Sequence, residues 1–228
     1  MQDHSQSLSH YEQTIVPHSF QMSVPQLKQY VFDYMTRLHG WCSNEKAAFL
    51  MDLIFKHKPQ TIVEIGVWGG KSLLPMATAL KANGRGVIYG IDPWDSKESV
   101  QWVVEEVNRH FWEYADHTSV YLHLLSKVSE LELQNQIVLI KNTSEGAPPI
   151  YGIDMLHVDG NHSDHTSYRD VIKWVPFMNS GGIIIFDDMK WFEHGDFTTA
   201  RASKWLDENC IKFAEFTDIC TWGVWIKP

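Results

Sequence analysis

Residues 64–70 read Glu-Ile-Gly-Val-Trp-Gly-Gly, an acid with glycine two positions on and glycine again four beyond that. Glycines let a backbone turn sharply and let a ligand approach its peptide groups. Taken alone, the pattern also suits a plain strand-to-helix turn. A dinucleotide-binding turn reads GxGxxG, but the position two before Gly66 is Glu64. A carboxylate there repels a pyrophosphate and attracts an ammonium group. Asp92 lies twenty-six residues beyond Gly66, at the end of the next apolar run. A carboxylate so placed can accept hydrogen bonds from both hydroxyls of a ribose. Together the two acids favour a cofactor that has a ribose and a cation but no pyrophosphate.

These residues need elements to hold them. Residues 1–23 are polar with scattered aromatics and read as a flexible or draped arm. Leu27, Val31, Tyr34, Met35 and Leu38 then form a helical stripe. Ser43 or Asn44 caps a second helix with Ala47, Leu50, Leu53 and Ile54 inward, stopped by Pro59. A strand over Thr61–Ile65 leads into the glycine turn and a helix with Leu73, Ala77 and Leu80 inward. Pro75 lies near that helix's first turn, where a missing N–H costs least. Further strands fall at Gly86–Ile91, Gln136–Lys141, Ile153–Val158 and Ile183–Phe186. Helices are expected over 97–114, at Val120–Val128, through Tyr168, Val171, Ile172, Val175 and Met178, and over about 196–209. Lys212–Thr217 and Thr221–Ile226 close the chain as a hairpin. Repeated strand–helix units imply a mainly parallel sheet covered by helices on both faces. Glu64 to Gly66, Asp92, Asp159 and Asp187-Asp188 all fall at strand ends, where open parallel sheets bind ligands.

Composition narrows the class. The 228 residues are 44% apolar and 21% charged, near the average for soluble globular chains. A net charge of −9 without a Lys/Arg run disfavours nucleic-acid binding. Three cysteines (Cys42, Cys210 and Cys220) without a CxxC pair argue against a disulfide framework or thiolate zinc site, and fit a reduced, cytosolic setting. No apolar run approaches the roughly 20 residues of a membrane span, and Met1–His10 lacks a signal peptide's apolar core.

"VEIGVWGGKS" and "YGIDPW" resemble the first two motifs of the class I S-adenosylmethionine-dependent methyltransferases. The resemblance covers residues 43–228, with 1–42 as an N-terminal arm and helix serving as substrate lid or oligomer contact. It implies a Rossmann-like α/β fold: a seven-stranded, mainly parallel sheet with an antiparallel strand near the C-terminus, plus N-terminal helices. It places Glu64, Gly66 and Gly70 near the methionine moiety of S-adenosylmethionine, Ser72 near its carboxylate, Asp92 at the ribose, and Thr143 and Ser144 near the adenine.

"HVDGNHSDHTSYRD" and "GGIIIFDD" are similar to the metal-dependent O-methyltransferases of the macrocin and cephalosporin-biosynthesis type. That resemblance implies Asp159, Asp187 and Asp188 as ligands of Mg²⁺ (or Mn²⁺), with Asp159 and His162 catalytic. A divalent cation lowers the pKa of an acceptor hydroxyl, and His162 removes its proton. Asp159 contacting substrate or capping the next helix remains an alternative. Asn161 departs from the related group, which often has an acid there. Trp94, Trp102, Trp112 and Trp191 read as packing residues, with an acceptor pocket as the alternative. His157 lies inside an apolar strand and reads as satisfied in the core, while His110, His117, His123, His165 and His194 lack metal-like spacing.

The expected activity is methyl transfer to a hydroxyl of a small molecule, with no nucleic-acid or membrane partner and with a homo-oligomer open. The alternatives are a metal-independent N- or C-methyltransferase of the same fold, a non-catalytic nucleotide-binding protein, or a nicotinamide-dependent oxidoreductase, the last disfavoured by Glu64.

Overall fold

A computed structural model describes residues 22–228. The arm expected over 1–23 lies almost wholly outside the described residues. In chain order the elements are α1 (Val24–Met35), α2 (Asn44–His57), β1 (Thr61–Ile65), α3 (Leu73–Asn83), β2 (Val87–Asp92), α4 (Ser96–Ser99), α5 (Glu106–Tyr114) and α6 (His117–Glu130). There follow β3 (Ile137–Lys141), β4 (Ile153–Val158), α7 (Asp164–Trp174), β5 (Met178–Phe186), the short pair β6 (Phe192–Glu193) and β7 (Asp196–Phe197), α8 (Ala200–Asn209), β8 (Ile211–Thr217) and β9 (Thr221–Ile226).

Seven strands form one sheet in the order β3-β2-β1-β4-β5-β9-β8. β1 to β5 pair in parallel, and β9 runs antiparallel to both β5 and β8. The sheet is therefore mainly parallel with one reversed strand, as the resemblance implies. Strand residues alternate between two apolar layers. Ile62, Ile88, Met155, Ile185 and Val224 pack against α1, α2 and α3. Val63, Ile65, Leu156, Val158 and Ile184 pack against α7 and α8. Glu64 and His157 share the parity of the first set and stand opposite one another in the β1–β4 register. Two polar groups are thus buried on the face covered by the N-terminal helices.

Three helices differ from expectation, each for a local reason. The helix expected over 97–114 is broken, because Trp102 has φ +63, which an α-helix does not accommodate. α5 also buries no residue, so nothing in the core holds the two parts in line. α7 ends at Trp174, because Pro176 turns the chain through a short 3₁₀ segment and Met178 begins β5. α8 starts four residues later than expected, since Phe192–Phe197 pair as a hairpin.

The topology changes direction between β1 and β4, which opens a crevice at their carboxyl ends. There Gly66 has φ +85, and a Cβ on it would lie 1.9 Å from the Asp159 carbonyl oxygen. Gly66→Ala is expected to destabilise the fold by at least about 3 kcal/mol, as read by urea unfolding. A smaller loss means that the two strand ends separate easily.

Candidate active site

The crevice opens into a cavity of about 840 Å³, within the roughly 300–1,000 Å³ of small-molecule sites. Its walls include the turn after β1, the end of β2, the loop after β3 and the ends of β4 and β5.

Asp92 shapes the turn. Its Oδ2 accepts from the N–H groups of Val67 (3.1 Å) and Trp68 (2.9 Å), and its Oδ1 from that of Trp94 (2.7 Å). Trp68 is thereby held in a left-handed conformation, φ +48, and its carbonyl accepts from Trp94 Nε1. A carboxylate has about four acceptor positions. Three are taken by these backbone N–H groups. Burial pushes its carboxyl up, against those three N–H bonds.

Thr143 and Ser144 lie on the cavity wall. Thr143 Oγ1 accepts from the Gly146 N–H, and the Ser144 hydroxyl donates to Asp170. Asp170 escaped the sequence reading, although it is the last residue of the segment "HVDGNHSDHTSYRD". It is 2% exposed on α7, and burial pushes its carboxyl up to about 7.

A second set of acids lies next to the turn. His162 Nε2 is 3.1 Å from Asp188 Oδ2 and 3.7 Å from Asp159 Oδ1, with side chains about a fifth exposed. It is angled so that it makes no well-formed hydrogen bond among the described residues. Burial would lower the His162 pKa, but Asp159 and Asp188 outweigh it and raise it. Burial likewise works to raise Asp159, but His162, Lys46 and His157 together hold it below the usual carboxylate range. Thr198 donates to the His162 carbonyl and Thr199 to that of Asp188, which fixes both backbones, and the Trp191 ring lies 4.4 Å from that of His162. Asn161 donates from its amide to the carbonyls of Gln101 and Ser99, which a carboxylate could not do. The amide ties the segment after α4 to the strand end.

Asp187 does not join this set. Asp188 has φ +49, and the two neighbouring carboxylates belong to different groups of donor atoms. Potential donor atoms form two groups that share Asp159: one with His162 and Asp188, the other with His157 and Asp187, each within 4.8 Å. In the second group the Lys46 ammonium contacts Asp187 Oδ2. His157 Nε2 lies 3.2 Å from the same oxygen, and its Nδ1 is 2.8 Å from Glu64 Oε1. The Ser72 hydroxyl donates to Glu64 Oε1 at 2.5 Å. Ser72, Glu64, His157, Asp187 and Lys46 thus form one chain, each at most 5% exposed. Asp159, Asp187 and Asp188 do not fall in one donor group, and Asp187 already contacts an ammonium.

Trp41, Trp68, Trp102, Phe111, Trp112 and Trp191 wall the cavity, whereas Trp94 is buried at 2% exposure. Glu193 is 4% exposed and accepts from Asn108 Nδ2 (2.8 Å) and Trp191 Nε1 (3.2 Å), joining the β6–β7 hairpin to α5. Burial pushes the Cys42 and Cys220 thiols up to about 12, which favours the neutral thiol at both. Among the described residues, no helix is long and apolar enough to cross a membrane.

The fold is shared with solved methyltransferases. The O-methyltransferase TomG of Streptomyces achromogenes, solved with SAM, is 16% identical over 90% of this chain and 88% of its own, at a TM-score of 0.59. An O-methyltransferase from Bacillus cereus, in complex with SAH, is 12% identical over 89% and 91%, at 0.60. The SAH-bound methyltransferase PaMTH1 of Podospora anserina is 12% identical over 90% and 88%, at 0.61. At these identities the likeness speaks for the fold alone: a Rossmann-like methyltransferase fold. The chain belongs to the methyltransferase domain family, whose model matches residues 63–189. Protein y4gI of Sinorhizobium fredii is 26% identical over 148 residues, or 64% of this chain, and the match spans 15% of that curated relative's length.

Asp170 yields a pH test. Its pKa is raised on folding, from 3.8 to about 7, so the folded chain holds a proton that the unfolded chain releases. The resulting stability is present below about pH 4 and is lost as the pH rises through 7. Asp170→Asn is therefore expected to melt above the wild type at pH 8 and level with it near pH 4, in parallel thermal scans. An equal gap at both values refutes the assignment.

Proposed function

We propose that this chain transfers a methyl group from S-adenosylmethionine to a hydroxyl of a small molecule, with His162 taking the hydroxyl proton. The observation that carries the reading is the shared cavity. The glycine turn with Asp92 and the trio His162, Asp159 and Asp188 line the same 840 Å³ space. The cofactor part is supported by that turn, whose Gly66, Val67 and Trp68 line the cavity beside Ser72 and Asp92. It is also supported by the fold relatives solved with SAM or SAH.

The bound cofactor supplies an electrophilic methyl group on a sulfonium. His162 Nε2, without a well-formed hydrogen bond, can accept the proton of an acceptor hydroxyl. Asp188 and Asp159 then stabilise the imidazolium, as they already do in raising its pKa. That raised pKa places the proton-accepting form on the alkaline side of the ordinary histidine range. Trp191 and the opposite aromatic wall orient the acceptor and keep water out.

A screen of hydroxylated small molecules with methyl-labelled S-adenosylmethionine tests the reading. His162→Ala is expected to lower kcat by about 10²–10⁴-fold while S-adenosylhomocysteine binding, followed by calorimetry, stays unchanged. A wild type that binds no S-adenosylhomocysteine, or a His162→Ala chain of full activity, sinks it.

A further inference from the structure

We propose that Lys46 occupies the place of a divalent cation in the acid cluster, so that the site carries its own fixed positive charge and needs no metal. The inference rests on the reading of this cluster as the acceptor end of the site. Three observations carry it.

The first is contact. Lys46 Nζ meets Asp187 Oδ2 inside the group formed by His157, Asp159 and Asp187. A metal ion in that group would have to share Asp187 with an ammonium. The described partners of this carboxylate, Lys46 and His157, both meet Oδ2, and Lys46 is the one that carries a fixed charge. The Lys46 charge also acts on Asp159 and Asp188, reaching the two acids that flank His162.

The second is confinement. Lys46 lies four residues before Leu50 and eight before Ile54, in phase with the buried stripe of α2. It is 1% exposed, and its ammonium is 5.8 Å from the centre of the Trp222 ring. A surface lysine can swing into water; one so enclosed cannot leave the cluster. The third is the end of α2 itself. Ser43 caps the helix by accepting from the Lys46 N–H and donates to Asp218. This fixes the electropositive helix end at the same corner of the sheet.

Lys46 acts through Asp187 and Asp159 and is thus a positioning residue. It neutralises one of three crowded carboxylates and leaves Asp159 and Asp188 to orient His162. The test is Mn²⁺ binding to the full chain, followed by electron paramagnetic resonance without cofactor or acceptor, so that failure of methyl transfer leaves the result readable. The wild type is expected to bind no Mn²⁺ at submillimolar concentration. Lys46→Met removes the charge, keeps the stem and should gain one site. Adding Asp187→Asn should weaken that site by at least about tenfold. A merely structural lysine would produce neither change. Wild-type protein that binds Mn²⁺ and loses it in Asp188→Asn overturns the proposal, as does a folded Lys46→Met chain that takes none. Should Lys46→Met not fold, the wild-type titration decides: no Mn²⁺ bound at submillimolar concentration supports the proposal, and Mn²⁺ bound and lost in Asp188→Asn overturns it.

Discussion

Ionisable side chains can be placed inside an apolar layer only if each finds a partner there. In this chain that constraint falls on the face of the sheet covered by the N-terminal helices. Glu64 on β1, His157 on β4, Asp187 beyond β5 and Lys46 on α2 are all at most 3% exposed. They meet in one chain that ends at Ser72 beside the glycine turn. None could be truncated without leaving a neighbour buried and unmatched, an effect of about 3–5 kcal/mol in measured systems. The chain also links α2, three strands and the turn before α3, and so connects the two ends of the cavity mechanically.

A second constraint acts on the backbone. Gly66 passes so close to the Asp159 carbonyl that no side chain fits, while Asp92 gathers three N–H groups of the neighbouring turns. Turn and acid cluster are therefore registered by contact between strand ends. Displacement of one displaces the other, and a one-displacement methyl transfer depends on such alignment.

Much of this was legible beforehand. Thr61–Ile65, Ile153–Val158 and Thr221–Ile226 are the strands that alternation and turn residues indicate. Asp92, Asp159, Asp187 and Asp188 lie on one cavity because the parallel strands β2, β4 and β5 present the same end to the same side. His157 reads as a satisfied core residue and is one, but its partners are two carboxylates from other strands. Asp170 and Glu193 were missed since a lone acid on a helix or hairpin reads as solvated surface. Lys46 had a signal, its phase with Leu50 and Ile54, yet a lysine at a helix start ordinarily bends out to water.

The sequence by itself determined the order of strands and helices, the family motifs at residues 63–72 and 89–94, and the placing of acids at strand ends. These follow from short-range rules of periodicity, capping and turn chemistry. Only the tertiary structure decided which way each carboxylate faces. Asp187 and Asp188 are neighbours in the chain, but the left-handed conformation at Asp188 sends one toward His162 and leaves the other with Lys46, 141 residues away. A contact over that separation depends on how α2 packs on the sheet, and no local pattern encodes it.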